Sequence, residues 1–273
     1  MMQRWLCNWN ATLGKRFALL CLLALPCLAP GIGRAGEDVG TVSAVKVVKV
    51  VKVVKVVTLN YPPYTGAALP GGGAMVRITR EAMKRVGFQL EVEFLPWNRA
   101  LYELRTGSAD GLVNIWRSEE REQWLHYSRP ILTNDVGLIV QKARPLRYAR
   151  LEELRAYRIG TVRGYANPVQ FNEAKIPVFT SETDEINLRA LASGRLDAVL
   201  IDRGVGRYLA LSKLAERADE LTWLEPVIEA MPNYFVVPRD APRSAELLDA
   251  FNRGLESMRR DGTLAAEIKT LIN

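Results

Sequence analysis

Three kinds of side chain in this sequence have the chemistry to hold a small charged molecule: an arginine, an aspartate and a group of aromatic rings. Arg121 follows Ser118-Glu119-Glu120. Ser118 fits a helix N-cap, since its hydroxyl can accept from a free backbone N–H of the first turn. Arg121 then lies in that turn, from which its guanidinium could grip a carboxylate through two parallel hydrogen bonds. A surface arginine paired with glutamate is the other reading of the same position. Asn114 and Asp202 each follow a short apolar run. Ligands in open α/β sheets bind beyond the carboxyl ends of strands, so one polar group from each run could face a shared cleft. Both would serve equally as ordinary turn residues. Tyr61, Tyr64 and Trp97 sit in loops near the same strand ends. Their faces could sandwich the apolar stem or cationic head of a ligand, or pack at the edge of the core.

Other chemistries find little support. Gly71-Gly72-Gly73 precedes a helix, but no Lys-Ser/Thr pair follows, so the phosphate-loop pattern is absent and a flexible loop is expected. His126 is the only histidine, and its neighbours Trp124, Leu125 and Tyr127 read as structural. The cysteines Cys7, Cys21 and Cys27 all lie in the first 35 residues, so neither a disulfide framework nor a metal cluster is expected beyond them, and no cofactor is implied.

Those first residues read as an export signal. Arg4, Lys15 and Arg16 form a basic start, Phe17 to Ala29 is apolar, and Gly33-Arg34-Ala35 offers small residues for cleavage. The apolar run falls short of the roughly 20 residues that a membrane-spanning helix needs. A lipid-attachment role for Cys27 is disfavoured by Pro26. The expected mature chain begins at residue 36 and is periplasmic. The net charge of +7 is concentrated in this segment and in a VKVVKVVKVVKVV repeat over residues 45–57, leaving the remainder nearly neutral. Binding of nucleic acid through a broad basic face is therefore not expected. The repeat has a period of 3, which suits neither a helix nor a half-buried strand, so only its last copy, running into Val56-Val57-Thr58-Leu59, is expected to form a core strand.

The elements that must position these side chains alternate between strand and helix, the pattern of a mostly parallel sheet with covering helices. Residues 74–86 carry a helical apolar face at Met75, Ile78, Ala82, Met83 and Val86, stopped by Gly87. Residues 88–94 alternate as a strand, and residues 98–106 read as a helix stopped by Gly107. A weak internal repeat follows. Leu104-Arg105-Thr106-Gly107-Ser108-Ala109-Asp110 matches Leu191-Ala192-Ser193-Gly194-Arg195-Leu196-Asp197, each leading into an apolar run. A helix ending at a glycine, a tight turn and an Asp entering a buried strand occur twice, which implies two similar lobes. Residues 136–141 and 234–237 are apolar strands that could cross between them. A helix is expected over residues 244–258, with a short one after Gly262.

Taken together, these pieces resemble the family 3 extracellular solute-binding proteins, the amino-acid-binding components of ABC importers, from about Val56 to Ile272. The resemblance is carried by Tyr61-Pro62-Pro63-Tyr64, by Gly107-x-x-Asp110, by Ser118-Glu119-Glu120-Arg121 with Tyr127-Ser128-Arg129-Pro130, by Arg158-Ile159-Gly160-Thr161-Val162-Arg163-Gly164, by Gly194-Arg195-Leu196-Asp197-Ala198-Val199-Leu200-Ile201-Asp202, and by Met258-Arg259-Arg260-Asp261-Gly262-Thr263. It implies a two-lobed α/β fold, the type II periplasmic binding protein fold, in which each lobe is a mixed, mostly parallel sheet flanked by helices and two strands form the hinge. The lobes are expected at residues 56–140 with 236–273 and at 141–235, after a low-complexity lead-in at 36–55. The resemblance also implies that Arg121 binds a ligand α-carboxylate, that Asp202 binds its α-amino group from the other lobe, and that Tyr61 and Trp97 pack on its side chain, with Asn114, Ser118 and Arg163 completing the site. The expected partners are a small polar ligand and an ABC permease in the inner membrane, with the binding protein itself a monomer.

The chain also departs from the family pattern. Gly73-Ala74-Met75 replaces the usual Gly-Phe-Asp, Asn114-Ile115-Trp116-Arg117 stands where small serines are usual, and Tyr165-Ala166 replaces hydroxyl residues that help hold the carboxylate. Arg99, Arg117 and Arg163 are expected to add positive charge near the cleft. Two alternatives share the scaffold. One is a periplasmic enzyme like cyclohexadienyl dehydratase, for which Glu119 or Glu185 would be the candidate acid; the other is a sensory ligand-binding module.

Overall fold

The structure, a computed structural model, describes residues 52–271. The export signal, its three cysteines and most of the Lys-Val-Val repeat lie outside the described residues.

The chain begins with β1 (Lys52–Thr58), α1 (Ala74–Arg85), β2 (Phe88–Phe94), α2 (Trp97–Arg105) and β3 (Gly111–Trp116). A short α3 (Glu119–Glu122), β4 (Leu125–Tyr127) and the long β5 (Leu132–Gln141) follow. The next stretch contains β6 (Ile159–Val162), α4 (Val169–Glu173), β7 (Val178–Ser181), α5 (Asp184–Ala192), β8 (Ala198–Asp202) and α6 (Arg203–Lys213). The chain then returns through β9 (Leu221–Pro238) and closes with α7 (Ser244–Arg260) and α8 (Thr263–Lys269). No helix among the described residues is long and apolar enough to cross a membrane.

The strands join in the order β2-β1-β3-β9-β5-β8-β6-β7, with β4 pairing on β9. β1 is parallel to β2 and β3 at one end of this order, and β6 is parallel to β7 and β8 at the other. Between the two parallel groups, β5 and β9 run antiparallel to each other. β9 carries its late residues against β3 and its early residues against β5. Among the described residues these two strands are the only long crossings between the halves of the sheet, the geometry of a two-strand hinge.

The internal repeat has one physical explanation in both halves. Gly107 and Gly194 take φ of +75° and +74°, a conformation that glycine adopts without steric cost. The aspartate three residues on then locks the turn to a neighbouring strand. Asp110 accepts the backbone N–H of Lys55 at 2.8 Å and donates its own N–H back to Lys55 O at 2.8 Å. Asp197 does the same with Arg158, accepting at 2.8 Å and donating at 2.9 Å.

Two expectations change. β1 takes up two copies of the Lys-Val-Val repeat, starting at Lys52 rather than Val56. The period of 3 does send Lys52 and Lys55 to opposite faces, but both reach solvent and pair there, with Glu246 at 2.5 Å and Glu93 at 3.4 Å. Val54, Val56 and Val57 fill the buried positions between layers. Residues 70–72, expected as a flexible loop, form a 3₁₀ turn, and Gly71, Gly72 and Gly73 all have positive φ. A Cβ on Gly73 would lie 2.4 Å from Tyr64 O, so glycine lets α1 start against the loop that carries Tyr61 and Tyr64.

Candidate functional site

The loop after β1 is held by short local bonds. Tyr61 N donates to Thr65 O at 2.8 Å, Tyr64 N to Tyr61 O at 3.0 Å, and Thr65 Oγ1 to Leu59 O at 2.8 Å. Met75 N, at the start of α1, donates to Tyr64 O at 3.0 Å and pins the loop from outside. Tyr61 and Tyr64 are thereby buried facing the second half of the sheet.

Ser118 caps α3 as expected, accepting from Arg121 N at 3.4 Å. Arg121 is buried, which excludes the surface-pair reading: it has no ion-pair partner among the described residues. Its Nη1 donates to Trp116 O at 2.9 Å and its Nη2 to Gly164 O at 2.8 Å, and the guanidinium lies 5.0 Å from the centre of the Trp97 ring. Trp97 Nε1 donates to the same Gly164 carbonyl at 2.8 Å. Gly164 has φ of +79°, a left-handed conformation that favours glycine in this turn. Burial lowers the Arg121 pKa from its ordinary value, and Tyr127 and the Glu120 charge offset this only in part.

Beside Arg121 is a narrow pocket walled by Tyr61, Trp97, Asn114, Trp116, Tyr165 and Asn233 among others. Tyr165 stands among the rings of Tyr61, Trp97 and Trp116, edge-on to each, with centroids 6.0, 5.9 and 6.1 Å away. The floor is a buried amide network. Asn233 Nδ2 donates to Asn114 Oδ1 at 2.8 Å and to Asn134 Oδ1 at 2.9 Å. Asn114 does not end its strand, as expected from sequence. It forms a bulge within β3, with φ of +72°, which asparagine tolerates better than most residues.

A second, smaller and narrow pocket adjoins the first, and Tyr61, Trp116, Tyr165 and Ala166 line both. Asp184, the first residue of α5, faces it and accepts from Tyr165 Oη at 3.2 Å. Burial pushes the Asp184 pKa up to about 7, and the Asp202 charge adds to the rise. Asp202 is fully buried at the end of β8. It caps α6, accepting Val205 N at 2.8 Å, and its other oxygen accepts Tyr64 Oη at 3.3 Å. Burial raises its pKa to about 6, opposed by those hydrogen bonds. Burial first, and then the charges of the same two acids, hold the Tyr61 hydroxyl well above its ordinary value.

Of the residues expected at the site, Tyr61, Trp97, Asn114 and Arg121 meet at the larger pocket. Ser118 supports Arg121, and Asp202 lies behind Tyr64 without lining that pocket. Arg163 is not brought in. It is exposed and pairs with Glu182 at 2.9 Å, because only the backbone of its turn enters the cleft. Arg99 is exposed and pairs with Glu103, and Arg117 pairs with Glu122 at 3.2 Å and lies over Tyr127 and Tyr234, so neither adds charge to the pocket. Glu119 is exposed and Glu185 pairs with Arg189 at 2.8 Å; neither lines a pocket. Sequence reasoning missed Asp184, Asn233 and the wall formed by Trp116 and Tyr165. Only the departures at 114–117 and 165–166 hinted at the last two.

Comparison with known proteins bears on the family and the fold. The family model described as bacterial extracellular solute-binding proteins, family 3, matches residues 54–270. The L-cystine-binding protein TcyJ of Escherichia coli (strain K12) is 24% identical over 211 residues, covering 76% of this chain and 77% of that protein. A crystal structure of a histidine kinase sensor domain with similarity to periplasmic binding proteins superposes with a TM-score of 0.71 at 23% identity, covering 82% of this chain and 97% of that one. The ancestral amino acid-binding protein AncCDT-1, described as a precursor of cyclohexadienyl dehydratase, gives a TM-score of 0.67 at 22% identity, covering 81% and 96%. The structural likenesses bear on the fold, which is the two-lobed one expected.

Proposed function

This chain belongs to the bacterial extracellular solute-binding proteins of family 3, and from that premise we propose that it captures an amino acid or a related small carboxylate in the periplasm and presents it to an ABC permease. The observation that carries the reading is Arg121. A guanidinium buried in a pocket wall, without an ion-pair partner among the described residues, is costly unless a ligand supplies the negative charge. Its remaining donors suit a carboxylate, and the aromatic rings beside it suit the body of an organic acid. The ligand's amino group would sit toward Asp202. Of the described residues, 56–140 with 236–271 make up one lobe in this reading and 141–235 the other, with β5 and β9 as the hinge. The bonds from Trp97 and Arg121 to Gly164, and from Tyr64 to Asp202, then cross the cleft. A ligand that adds contacts to both lobes shifts the population toward closure, the state a permease reads. The relatives' description as amino-acid-binding proteins points the same way.

The test is a thermal-shift and calorimetric screen of residues 36–273 against amino acids, dicarboxylates and oligopeptides. An amino acid should raise the midpoint, and Arg121→Gln, with its fold checked by circular dichroism, should weaken that binding by about 100-fold or more. A ligand that binds the variant unchanged would remove Arg121 from the site. Asp184 favours one second reading, an enzyme on the same scaffold, because its carboxyl titrates near neutrality in a cleft as a general acid would. Incubation with prephenate, followed by ultraviolet absorbance, is expected to show no turnover; measurable dehydration would bring that reading forward.

A further inference from the structure

The smaller pocket has a chemistry that a carboxylate and one amino group leave unused. Asp184 and Asp202 are both buried, and neither takes part in an ion pair among the described residues. Asp202 spends its oxygens on Val205 N and Tyr64 Oη. Asp184 faces the pocket and has one side-chain donor, Tyr165 Oη at 3.2 Å. Tyr61 supplies a second, independent sign. Its ring lines both pockets, only 4% of the residue is exposed, and its hydroxyl has no hydrogen-bond partner among the described residues. A buried hydroxyl without a partner marks a place where a polar group is expected.

The charges can be counted. Above about pH 7, where both acids are ionised, Arg121 contributes one positive charge and the two aspartates two negative ones, all buried. A zwitterionic amino acid adds nothing and leaves the closed cleft with an uncompensated negative charge in a low-dielectric interior, which is unfavourable. A ligand carrying one further positive charge brings the sum to zero. The groups at the smaller pocket suit a nitrogen cation. Asp184 and the Tyr61 hydroxyl offer acceptors, and the faces of Tyr61, Trp116 and Tyr165 attract a cation passing between them.

We propose that the smaller pocket is a subsite for a second cationic group, and that the ligand is an amino acid whose side chain ends in an ammonium or guanidinium held by Asp184 and Tyr61. The proposal rests on the binding function above. It places the carboxylate at Arg121, the aliphatic stem between the rings and the terminal cation at Asp184.

The test compares L-arginine with L-citrulline, its neutral near-isostere, by calorimetry at pH 8 on residues 36–273. Arginine should bind at least about 10-fold more tightly, and Asp184→Asn should remove most of that preference. Tyr61→Phe, which keeps the ring and removes the unpaired hydroxyl, should reduce the same preference without unfolding the protein. Equal binding of the two ligands by the wild type, or a preference that Asp184→Asn leaves intact, would overturn the subsite. Citrulline or another neutral amino acid binding tightly and depending on Arg121 would overturn the subsite while leaving the binding function in place. If no amino acid binds at all, the underlying function fails with it.

Discussion

The two ends of the cleft are built on opposite plans. At one end a single cation, Arg121, is buried with its N–H groups on backbone carbonyls and its flat face near Trp97. At the other, two acids are buried with hydroxyl and backbone donors but no cation. Each end is unfavourable alone, and the aromatic wall of Tyr61, Trp116 and Tyr165 keeps them apart, so they do not neutralise each other. The contrast supports the proposal of a dipolar ligand with its carboxylate toward Arg121 and its positive charge toward the acids. Arg121 performs no visible structural duty beyond bridging the cleft, whereas Asp202 also caps a helix. Loss of function and loss of stability are therefore separable at the first end and entangled at the second.

That entanglement can be broken. After the Arg121→Gln loss, the largest effect is expected at Asp202. Asp202→Ala removes both the charge and the cap of α6, and should lower binding about 10-fold or more and stability by about 1 kcal/mol. Asp202→Asn keeps a good capping side chain, so it should lower binding with little change in the denaturation midpoint. Equal stability losses in the two variants would show that the cap contributes nothing.

The acidic end should also impose a pH dependence that the Arg121 end does not. Asp184 lies near 7 and Asp202 near 6 in the folded protein, against an ordinary value of 3.8. Both are raised, so the folded state favours their protonated forms. Their contribution to stability is fully present below about pH 4 and is lost as pH rises through 6 and 7. Melting in the absence of ligand should therefore shift to lower temperature across that window, and Asp184→Asn should flatten the decline. The groups that face Asp184 are Tyr165 and Asp202, so Tyr165→Phe should alter the slope as well. A flat wild-type profile would remove the electrostatic argument for the acidic end.

The smallest effect is expected at Arg163, which faces solvent and pairs with Glu182. Arg163→Ala should change binding and stability within about 0.5 kcal/mol. A large loss of affinity would return Arg163 to the site.

How much of this was legible in the sequence differs between the same two ends. The fold and the Arg121 end were readable because their signals are local. Ser118 caps the turn that carries Arg121, and the two glycine-turn-aspartate segments mark matching helix-to-strand junctions. The acidic end was only half readable. Asp184 follows Thr183, which caps α5 by accepting Ile186 N at 3.3 Å, and an acid in a helix's first turn is ordinary. Nothing local distinguishes it from a solvent-facing acid, since its burial is created by Tyr165 from another loop. Arg163 misled for the converse reason. It adjoins Gly164, whose carbonyl enters the cleft, but the side chain turns outward. The extra strand residues at Lys52–Lys55 were hidden because a period of 3 looks wrong for a strand until both lysines are seen to reach solvent.

The central claim is that Arg121 holds a ligand carboxylate, and it can be tested without any mutation. The tightest-binding amino acid from the screen should be titrated into the wild-type protein beside the amine left by its decarboxylation, which keeps every other group. The account predicts that the amine binds at least about 100-fold more weakly, because it leaves Arg121 buried without its anion. Equal affinity for the two would contradict it.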